Sequence, residues 1–519
     1  MKLNVDVAVI GAGTAGLAAY RAARAAGART VIIEGGPYGT TCARVGCMPS
    51  KLLIAAAEAA HAIERAPGFG VHVDAPVRVD GREVMARVKR ERDRFVGFVV
   101  EGVESIPAAD RIRGHARFVD DRTLEVEGGP RINARAIVIA TGSRPTVPPM
   151  LQGLGDRLVV NDDIFQWDTL PRSVAVFGPG VIGLELGQSL ARLGVRVVVL
   201  GRGGKLGPIA DPVVAAAAAK AFSAEFLLDT DAHVSRVERG GDKVVIDYRG
   251  PDGDPRSERF DYVLAATGRA PNVDRLGLEN TSLERHARGV PLFHRTTLQA
   301  GTSAIFIAGD AANDIPLLHE AADEGRIAGA NAARFPDVQP GLRRAGLGIV
   351  FTDPQIAIVG GGFAAATALR HPGRRGRGDG PGPNQPAVGE VSFEDQGRSR
   401  VMLRNRGKLR VYGDVETGRF LCAEMVGPDA EHIGHLLAWA LQAGMTVAQM
   451  LEMPFYHPVV EEGLRTALRD LDAKLRKPGT SRFSAPRKTR YVPVSDPVRE
   501  GGGEVAQVVR DDAVHAGVE

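Results

Sequence analysis

A short apolar strand, a glycine-rich turn and a helix leading into a second strand occur twice in this chain, and no other feature restricts its fold as much. The first copy runs Val5-Asp6-Val7-Ala8-Val9-Ile10, then Gly11-Ala12-Gly13-Thr14-Ala15-Gly16, an alanine-rich helix, and Val31-Ile32-Ile33-Glu34. The second runs Val174-Ala175-Val176-Phe177, then Gly178-Pro179-Gly180-Val181-Ile182-Gly183, a helix, and Val197-Val198-Val199-Leu200-Gly201-Arg202. Glycines spaced Gly-x-Gly-x-x-Gly between a strand and a helix are the pattern of a βαβ dinucleotide site. The first glycine permits the turn, the second lets a pyrophosphate approach the backbone, the third allows close helix packing, and the helix N-terminus supplies an anion site. The first copy closes on Glu34, whose carboxylate suits a ribose hydroxyl. The second closes on Gly201-Arg202, where an arginine without an acid can meet a 2′-phosphate. Two different dinucleotides are implied. Nearby Lys205 either adds charge to the second site or is a solvated surface lysine. Each copy is followed by an apolar strand ending in Ala-Thr-Gly, Ile137 to Gly142 and Val263 to Gly268, so the duplication extends beyond the glycines.

Composition agrees with an α/β class. The 519 residues include 64 glycines but only 5% aromatics, which favours many strand-to-helix turns over an all-β sandwich, and 44% hydrophobic with 24% charged residues is ordinary for a globular protein. Lys plus Arg (65) against Asp plus Glu (62) leaves +3, too balanced for a nucleic-acid or membrane partner. The apolar run from Val5 is interrupted by Asp6 and by glycines, so neither a signal peptide nor a membrane span fits. The three cysteines, Cys42, Cys47 and Cys422, argue against a secreted disulfide framework, and a cytoplasmic, reducing setting is expected.

The segment Gly39-Thr40-Thr41-Cys42-Ala43-Arg44-Val45-Gly46-Cys47-Met48-Pro49-Ser50-Lys51 carries the most chemistry. Its cysteines precede an apolar periodic run from Leu52 to Ile63, and Pro49 suits a first helical turn. A thiol at a helix N-terminus has its thiolate favoured by free amides and the helix dipole, and a second thiol one turn away can close a disulfide with it. Dithiol redox chemistry follows. A zinc site would need further Cys or His ligands, and none is near in sequence.

With these segments in hand, the sequence resembles the FAD-dependent class I pyridine nucleotide-disulfide oxidoreductases, and most of all the dihydrolipoyl dehydrogenase type. The resemblance covers about residues 4 to 471. In order, it rests on the first glycine unit with Glu34, the Cys-x4-Cys-x-Pro-Ser-Lys segment, Ala140-Thr141-Gly142, the second glycine unit, Gly268-Arg269-Ala270-Pro271-Asn272, Ala308-Gly309-Asp310, and His457-Pro458 with Glu462. It implies two Rossmann-like dinucleotide-binding domains plus a C-terminal α+β dimerisation domain. The expected divisions are 1–150 and 270–344 for the two parts of the FAD domain, 151–269 for the NAD(P) domain, 345–471 for dimerisation, and a basic flexible tail over 472–519. An exposed Gly/Pro/Arg-rich loop is expected over 370–386.

The resemblance also assigns roles. Gly11, Gly13, Gly16 and Glu34 would hold FAD, with Asp310 on its ribityl chain, Ala116, Thr141 and Gly142 completing the site, and Pro316, Leu317, Leu318 and His319 covering it. Cys47 would be the thiolate nearest the flavin and Cys42 the sulfur that exchanges with substrate. Lys51 would lie beside the flavin and pair with Glu185. Gly178, Gly180, Gly183, Val234 and Gly268 would hold NADP or NAD, with Arg202 favouring NADP. His457, oriented by Glu462, would be the base, reaching the cysteines of a second copy, so a homodimer is implied. The substrate would be a small disulfide or a lipoyl group, with a lipoyl-bearing complex as a further partner. Three departures stand out: Gly201 where dihydrolipoyl dehydrogenases carry an acid, no cysteine after Cys422 where mercuric reductases carry a pair, and Ser50 where glutathione reductases carry lysine. Two rival readings are a nucleotide–flavin oxidase or transhydrogenase, and an idle flavoprotein that acts as a binding component. Both leave the cysteines and His457 without a task.

Overall fold

The computed structural model of the protein describes residues 2–75, 77–368 and 386–475. The expected loop at 370–386, apart from residue 386, and the tail from residue 476 lie outside the described residues. Among the described residues three sheets carry the architecture. In the first, Arg111–Arg113, Thr30–Glu34, Lys2–Ile10, Arg131–Ile139 and Ile305–Ile307 run parallel, and Thr123–Val126 with Ala116–Asp120 extend one edge antiparallel. The chain leaves this sheet after Ile139 and returns to it at Ile305. In between it builds a second, all-parallel sheet in the order Leu227–Asp229, Arg196–Leu200, Ser173–Phe177, Tyr262–Ala265, Leu158–Val159. The unbroken apolar runs of the central strands have this cause. Both faces of each sheet are covered, one face of the second by the three-stranded antiparallel sheet Val234–Gly240, Lys243–Arg249 and Pro255–Phe260, so Val7, Ala8, Val9, Val174, Ala175 and Val176 are all fully buried.

Small side chains let the helices close on the first sheet. The helices Thr14–Ala25 and Leu318–Arg334 approach so tightly that a Cβ on Gly325 or Gly329 would lie 2.2 or 2.1 Å from the carbonyl oxygen of Ala15 or Ala19. The third sheet is antiparallel, in the order Leu347–Val350, Gln355–Val359, Phe420–Gly427, Lys408–Gly413, Ala387–Ser392. The helices Ala430–Gln442 and Glu462–Leu475 cover it through Ile433, Leu437, Leu464 and Leu468 on a core of Phe393, Leu409 and Val411. Here the sequence reading needs a correction, because residues 472–475, assigned to the tail, are the last turn of a helix. Lys474 Nζ donates to the Val388 carbonyl at 2.7 Å and to Asp470, and Leu475 packs on the sheet's core, which carries the helix past Leu471.

Two buried carboxylates join the second sheet's unit to the third sheet. Asp211 caps the helix Pro212–Phe222 and accepts from the Tyr412 hydroxyl and from Arg410. Glu424 accepts the N–H groups of Ala210, Asp211 and Phe363 at 2.8–3.0 Å. Buried charges need such partners, so this junction is fixed rather than sliding.

Candidate active site

Thr40 Oγ1 accepts the Ala43 N–H at 3.3 Å and opens the short helix Thr41–Val45, which carries Cys42. After Gly46 the chain enters the helix Cys47–Arg65, with Cys47 as its first residue and Pro49 in its first turn. No side chain caps that helix, so its N-terminal amides remain available to favour a thiolate. Cys42 is half-buried and Cys47 exposed. A hydrogen bond between the sulfurs separates their acidities. It lowers Cys47 to about 7, against the opposing effect of burial and with help from the Lys51 ammonium, and it pushes Cys42 far above the ordinary thiol range, where burial adds to it. Cys47 therefore carries the negative charge of the reduced pair. Burial and the neighbouring Glu424 push the third cysteine, Cys422, up to about 12, and its S–H donates to the Gly362 carbonyl. That thiol is inert.

Lys51 follows the cysteines on the same helix and reaches across to the second glycine unit's helix, Val181–Arg192. Its Nζ lies 2.7 and 2.9 Å from the Glu185 carboxylate oxygens, as the family resemblance implies. Glu185 is 4% exposed. It also accepts from Ser50 Oγ at 3.4 Å and from the Phe351 N–H at 2.9 Å, so no buried charge is left bare.

The two glycine turns match each other in space. Gly11 has φ +107° and Gly178 φ +104°, and a Cβ on either would lie 2.3 or 2.4 Å from the carbonyl of Ala140 or Ala266. A Cβ on Gly16 or Gly183 would come within 1.9 Å of the carbonyl of Gly11 or Gly178. Only the middle glycines, Gly13 and Gly180, face open space, at the N-termini of the helices Thr14–Ala25 and Val181–Arg192. An open cradle at an uncapped helix N-terminus fits a pyrophosphate at each site. Glu34 accepts the Ala12 N–H at 2.8 Å on one oxygen and the Gly36 N–H at 2.7 Å on the other, which aims its remaining lone pairs for ribose hydroxyls.

Asp310 lies in a turn that begins at Gly309, whose N–H donates to the buried Glu324 at 2.7 Å. Ser143 Oγ donates to Asp310 at 2.6 Å, and Arg269 donates to both Ser143 oxygens at 2.8 Å. Thr141 and Asn272 exchange hydrogen bonds at 2.7 and 3.0 Å, which brings the Ala-Thr-Gly strand end against the Gly-Arg-Ala-Pro-Asn segment. Gly142 and Gly268 both have positive φ there. Ala116 opens the strand Ala116–Asp120, and Pro316 to His319 lead into the helix Leu318–Arg334 with Pro316, Leu318 and His319 exposed. Sequence reasoning gave no role to Ser143, Arg269 or Glu324, because their partners lie far away along the chain.

At the second site Val234 opens the strand Val234–Gly240 and is half-buried. Arg202 follows the strand Arg196–Leu200, is exposed, and has no hydrogen bond or ion pair among the described residues. A Cβ on Gly201 would lie 2.6 Å from the Thr230 carbonyl and 2.8 Å from the Pro179 ring, so the backbone leaves no room there for a larger residue.

Among the described residues His457 makes no hydrogen bond or ion pair with either cysteine of the pair. Its side chain is 80% exposed, and its Nδ1 lies 2.9 Å from Glu462 Oε2. Desolvation opposes ionisation of Glu462, but His457, the Val459 N–H and Arg465 hold its carboxyl below the usual range. A histidine so exposed, with a carboxylate on one ring nitrogen, presents the other outward.

Residues 5–325 match the family model for pyridine nucleotide-disulphide oxidoreductases, and residues 347–468 match that family's dimerisation domain. The chain is a class I pyridine nucleotide-disulphide oxidoreductase. It belongs to a family of FAD-dependent enzymes that use NAD(P)H. Among similar proteins are the dihydrolipoyl dehydrogenase of Haloferax volcanii, 32% identical over 89% of this chain and 95% of the relative, and the mercuric reductase of Shigella flexneri, 30% identical over 91% and 82%. Among solved structures, LpdA from Mycobacterium tuberculosis has a TM-score of 0.74 at 24% identity, covering 90% of this chain and 99% of that one. The HOCl-induced flavoprotein disulfide reductase RclA from Escherichia coli has 0.71 at 23%, covering 91% and 100%. These two likenesses speak for the fold. Among the described residues no helix of this oxidoreductase is long and apolar enough to cross a membrane.

Proposed function

We propose that this oxidoreductase moves two electrons between NAD(P)H and a dithiol or disulfide of the lipoyl type through Cys42 and Cys47, as a homodimer. The observation that carries the reading is the placement of Cys42 on the short helix Thr41–Val45 and of Cys47 at the uncapped N-terminus of the helix Cys47–Arg65, with Lys51 paired to Glu185 one turn on, surroundings that lower Cys47 and raise Cys42. FAD, when bound, supplies hydride exchange with the nicotinamide and two-electron exchange with the cysteines. Gly11, Gly13, Gly16, Glu34 and Asp310 are the residues that would hold it, and Gly178, Gly180, Gly183 and Arg202 would hold the nucleotide.

The thiol chemistry follows from the chain's own residues. In dithiol oxidation a substrate thiolate attacks Cys42 Sγ, the Cys42–Cys47 bond breaks, and Cys47 leaves as the better leaving group because its thiol is the more acidic. The second substrate thiol then attacks its own sulfur in the mixed disulfide, releases Cys42, and closes the substrate disulfide. His457 of a second copy accepts the substrate's proton and returns one to Cys42, while Glu462 orients the ring. Run in reverse, the same steps reduce a disulfide. Lys51 holds the Cys47 charge throughout. Reduction of another small disulfide is the alternative within this chemistry, and Gly201 with Arg202 favours it, because the paired acid expected of a dihydrolipoyl dehydrogenase is missing. A reducing, cytoplasmic setting suits a dithiol that has to cycle. Steady-state turnover of lipoamide and of glutathione disulfide, each with NADH and NADPH, tests the reading. Turnover of lipoamide that Cys42→Ser abolishes supports it, and turnover unchanged in Cys42→Ser refutes it.

A further inference from the structure

The turn 351–354, between the strands Leu347–Val350 and Gln355–Val359, is gripped by one face of the helix Val181–Arg192. Glu185, Gln188 and Arg192 are spaced at helical intervals along that face. Glu185 Oε1 accepts the Phe351 N–H at 2.9 Å, and Gln188 exchanges both of its amide groups with the Asp353 backbone, at 2.7 and 2.8 Å. Arg192 donates to the Asp353 carbonyl at 3.1 Å and to its carboxylate at 3.2 Å. Val350, just before the turn, is buried in the core, whereas Phe351 is half-buried and its ring lies against a charge. Lys51 Nζ stands 4.5 Å from the ring centroid, within the range of cation–π attraction. One residue thus touches both members of the Lys51–Glu185 pair, its amide on the acid and its ring on the base.

We propose that Phe351 is a positioning residue that holds Lys51 beside Cys47, the ring confining the ammonium from one side while the amide fixes the carboxylate that faces it. The proposal rests on the reading of Lys51 as the cation that favours the Cys47 thiolate. Lys51 is a flexible four-carbon stem with a third of its side chain exposed, and its ammonium is otherwise held by the two Glu185 oxygens and by Ser50 Oγ at 3.4 Å. The ring adds a restraint that these polar contacts do not supply. Three other side chains act on Cys47, Cys42 through its S–H, Lys51 by attraction and Glu185 by repulsion, while burial opposes its thiolate and its own backbone N–H favours it. If Lys51 drifts from its place, the attraction weakens and the Glu185 charge is left less compensated, so both changes disfavour the thiolate.

The test uses the FAD-loaded enzyme in a Cys42→Ser background, where Cys47 is the reactive thiol and Cys422 is buried. The pH dependence of alkylation by iodoacetamide is measured with Phe351→Leu, Phe351→Met, Phe351→Tyr and Lys51→Met, with FAD content and melting temperature confirming folding. Phe351→Leu and Phe351→Met should each move the Cys47 titration upward by about half a unit or more, seen as at least roughly threefold slower alkylation below the midpoint. Phe351→Tyr keeps the ring face and should stay within about twofold of the parent. Phe351→Met also stands in should the leucine variant fail to fold. A titration unmoved in both ring-deleted variants but shifted in Lys51→Met overturns the role of Phe351 and leaves that of Lys51 intact. A titration unmoved in Lys51→Met refutes the underlying reading of Lys51, and the proposal falls with it.

Discussion

Replacing Arg202 by alanine should weaken NADPH selectively. The guanidinium is exposed, follows the second strand of the second glycine unit, and has no competing partner among the described residues, so a 2′-phosphate would not have to displace an existing ion pair. A charge-assisted contact of this kind contributes roughly 1.5–3 kcal/mol, or about tenfold to a hundredfold in binding. Solvent screening at an exposed site puts the expectation at the lower end, about tenfold, and makes it shrink as salt rises. Since the phosphate is remote from the reacting carbon, the loss should appear in KM rather than kcat. The assay is kcat/KM for NADPH and NADH at two ionic strengths in the wild type and in Arg202→Ala. The converse variant Gly201→Glu is a poor instrument, because its Cβ would lie 2.6 Å from the Thr230 carbonyl and the strand end would have to move. A wild type that prefers NADH, or an Arg202→Ala variant that loses equally with both nucleotides, refutes this account of the second site.

Reduction by two electrons should give a long-wavelength band from the Cys47 thiolate against the flavin, and Cys47→Ser should abolish it; a band retained in that variant removes Cys47 from its place. Inactive His457→Ala and Cys42→Ser subunits, mixed and allowed to exchange, should regain part of the activity, and no rescue despite demonstrated exchange contradicts a site shared between copies. Glu324→Gln keeps the shape but weakens the acceptor that holds the Gly309 N–H, a charged-to-neutral loss of about 1 kcal/mol, so FAD should dissociate up to about fivefold faster; an unchanged dissociation rate speaks against that support. Deleting residues 476–519 should leave FAD content and turnover nearly unchanged, whereas cutting after Leu471 should lower the melting temperature, since Leu475 packs on the third sheet.

What the sequence made legible was whatever lies close together along the chain. Glycine turns, strand periodicity and the Cys-x4-Cys segment are local patterns whose geometry is dictated within a few residues, and the two turns prove nearly superimposable in their φ values and close contacts. The start of the tail expected at residue 472 falls inside a helix, because apolar spacing fades there while Lys474 and Leu475 find partners on distant strands. The Lys51–Glu185 pair, 134 residues apart, was reachable only through the family resemblance. Phe351, Ser143 and Glu324 escaped even that, because each acts through one contact between elements far apart in the chain, and nothing in its neighbours' identity announces the contact.

The central claim is that the cysteine pair stores two electrons in series with the flavin. An anaerobic titration with dithionite, following flavin absorbance, measures that storage directly. The account predicts that full reduction of the wild type takes about four electrons per FAD, two for the disulfide and two for the flavin, and that Cys42→Ser takes about two. Uptake of only two electrons by the wild type, or of four by Cys42→Ser, would contradict it.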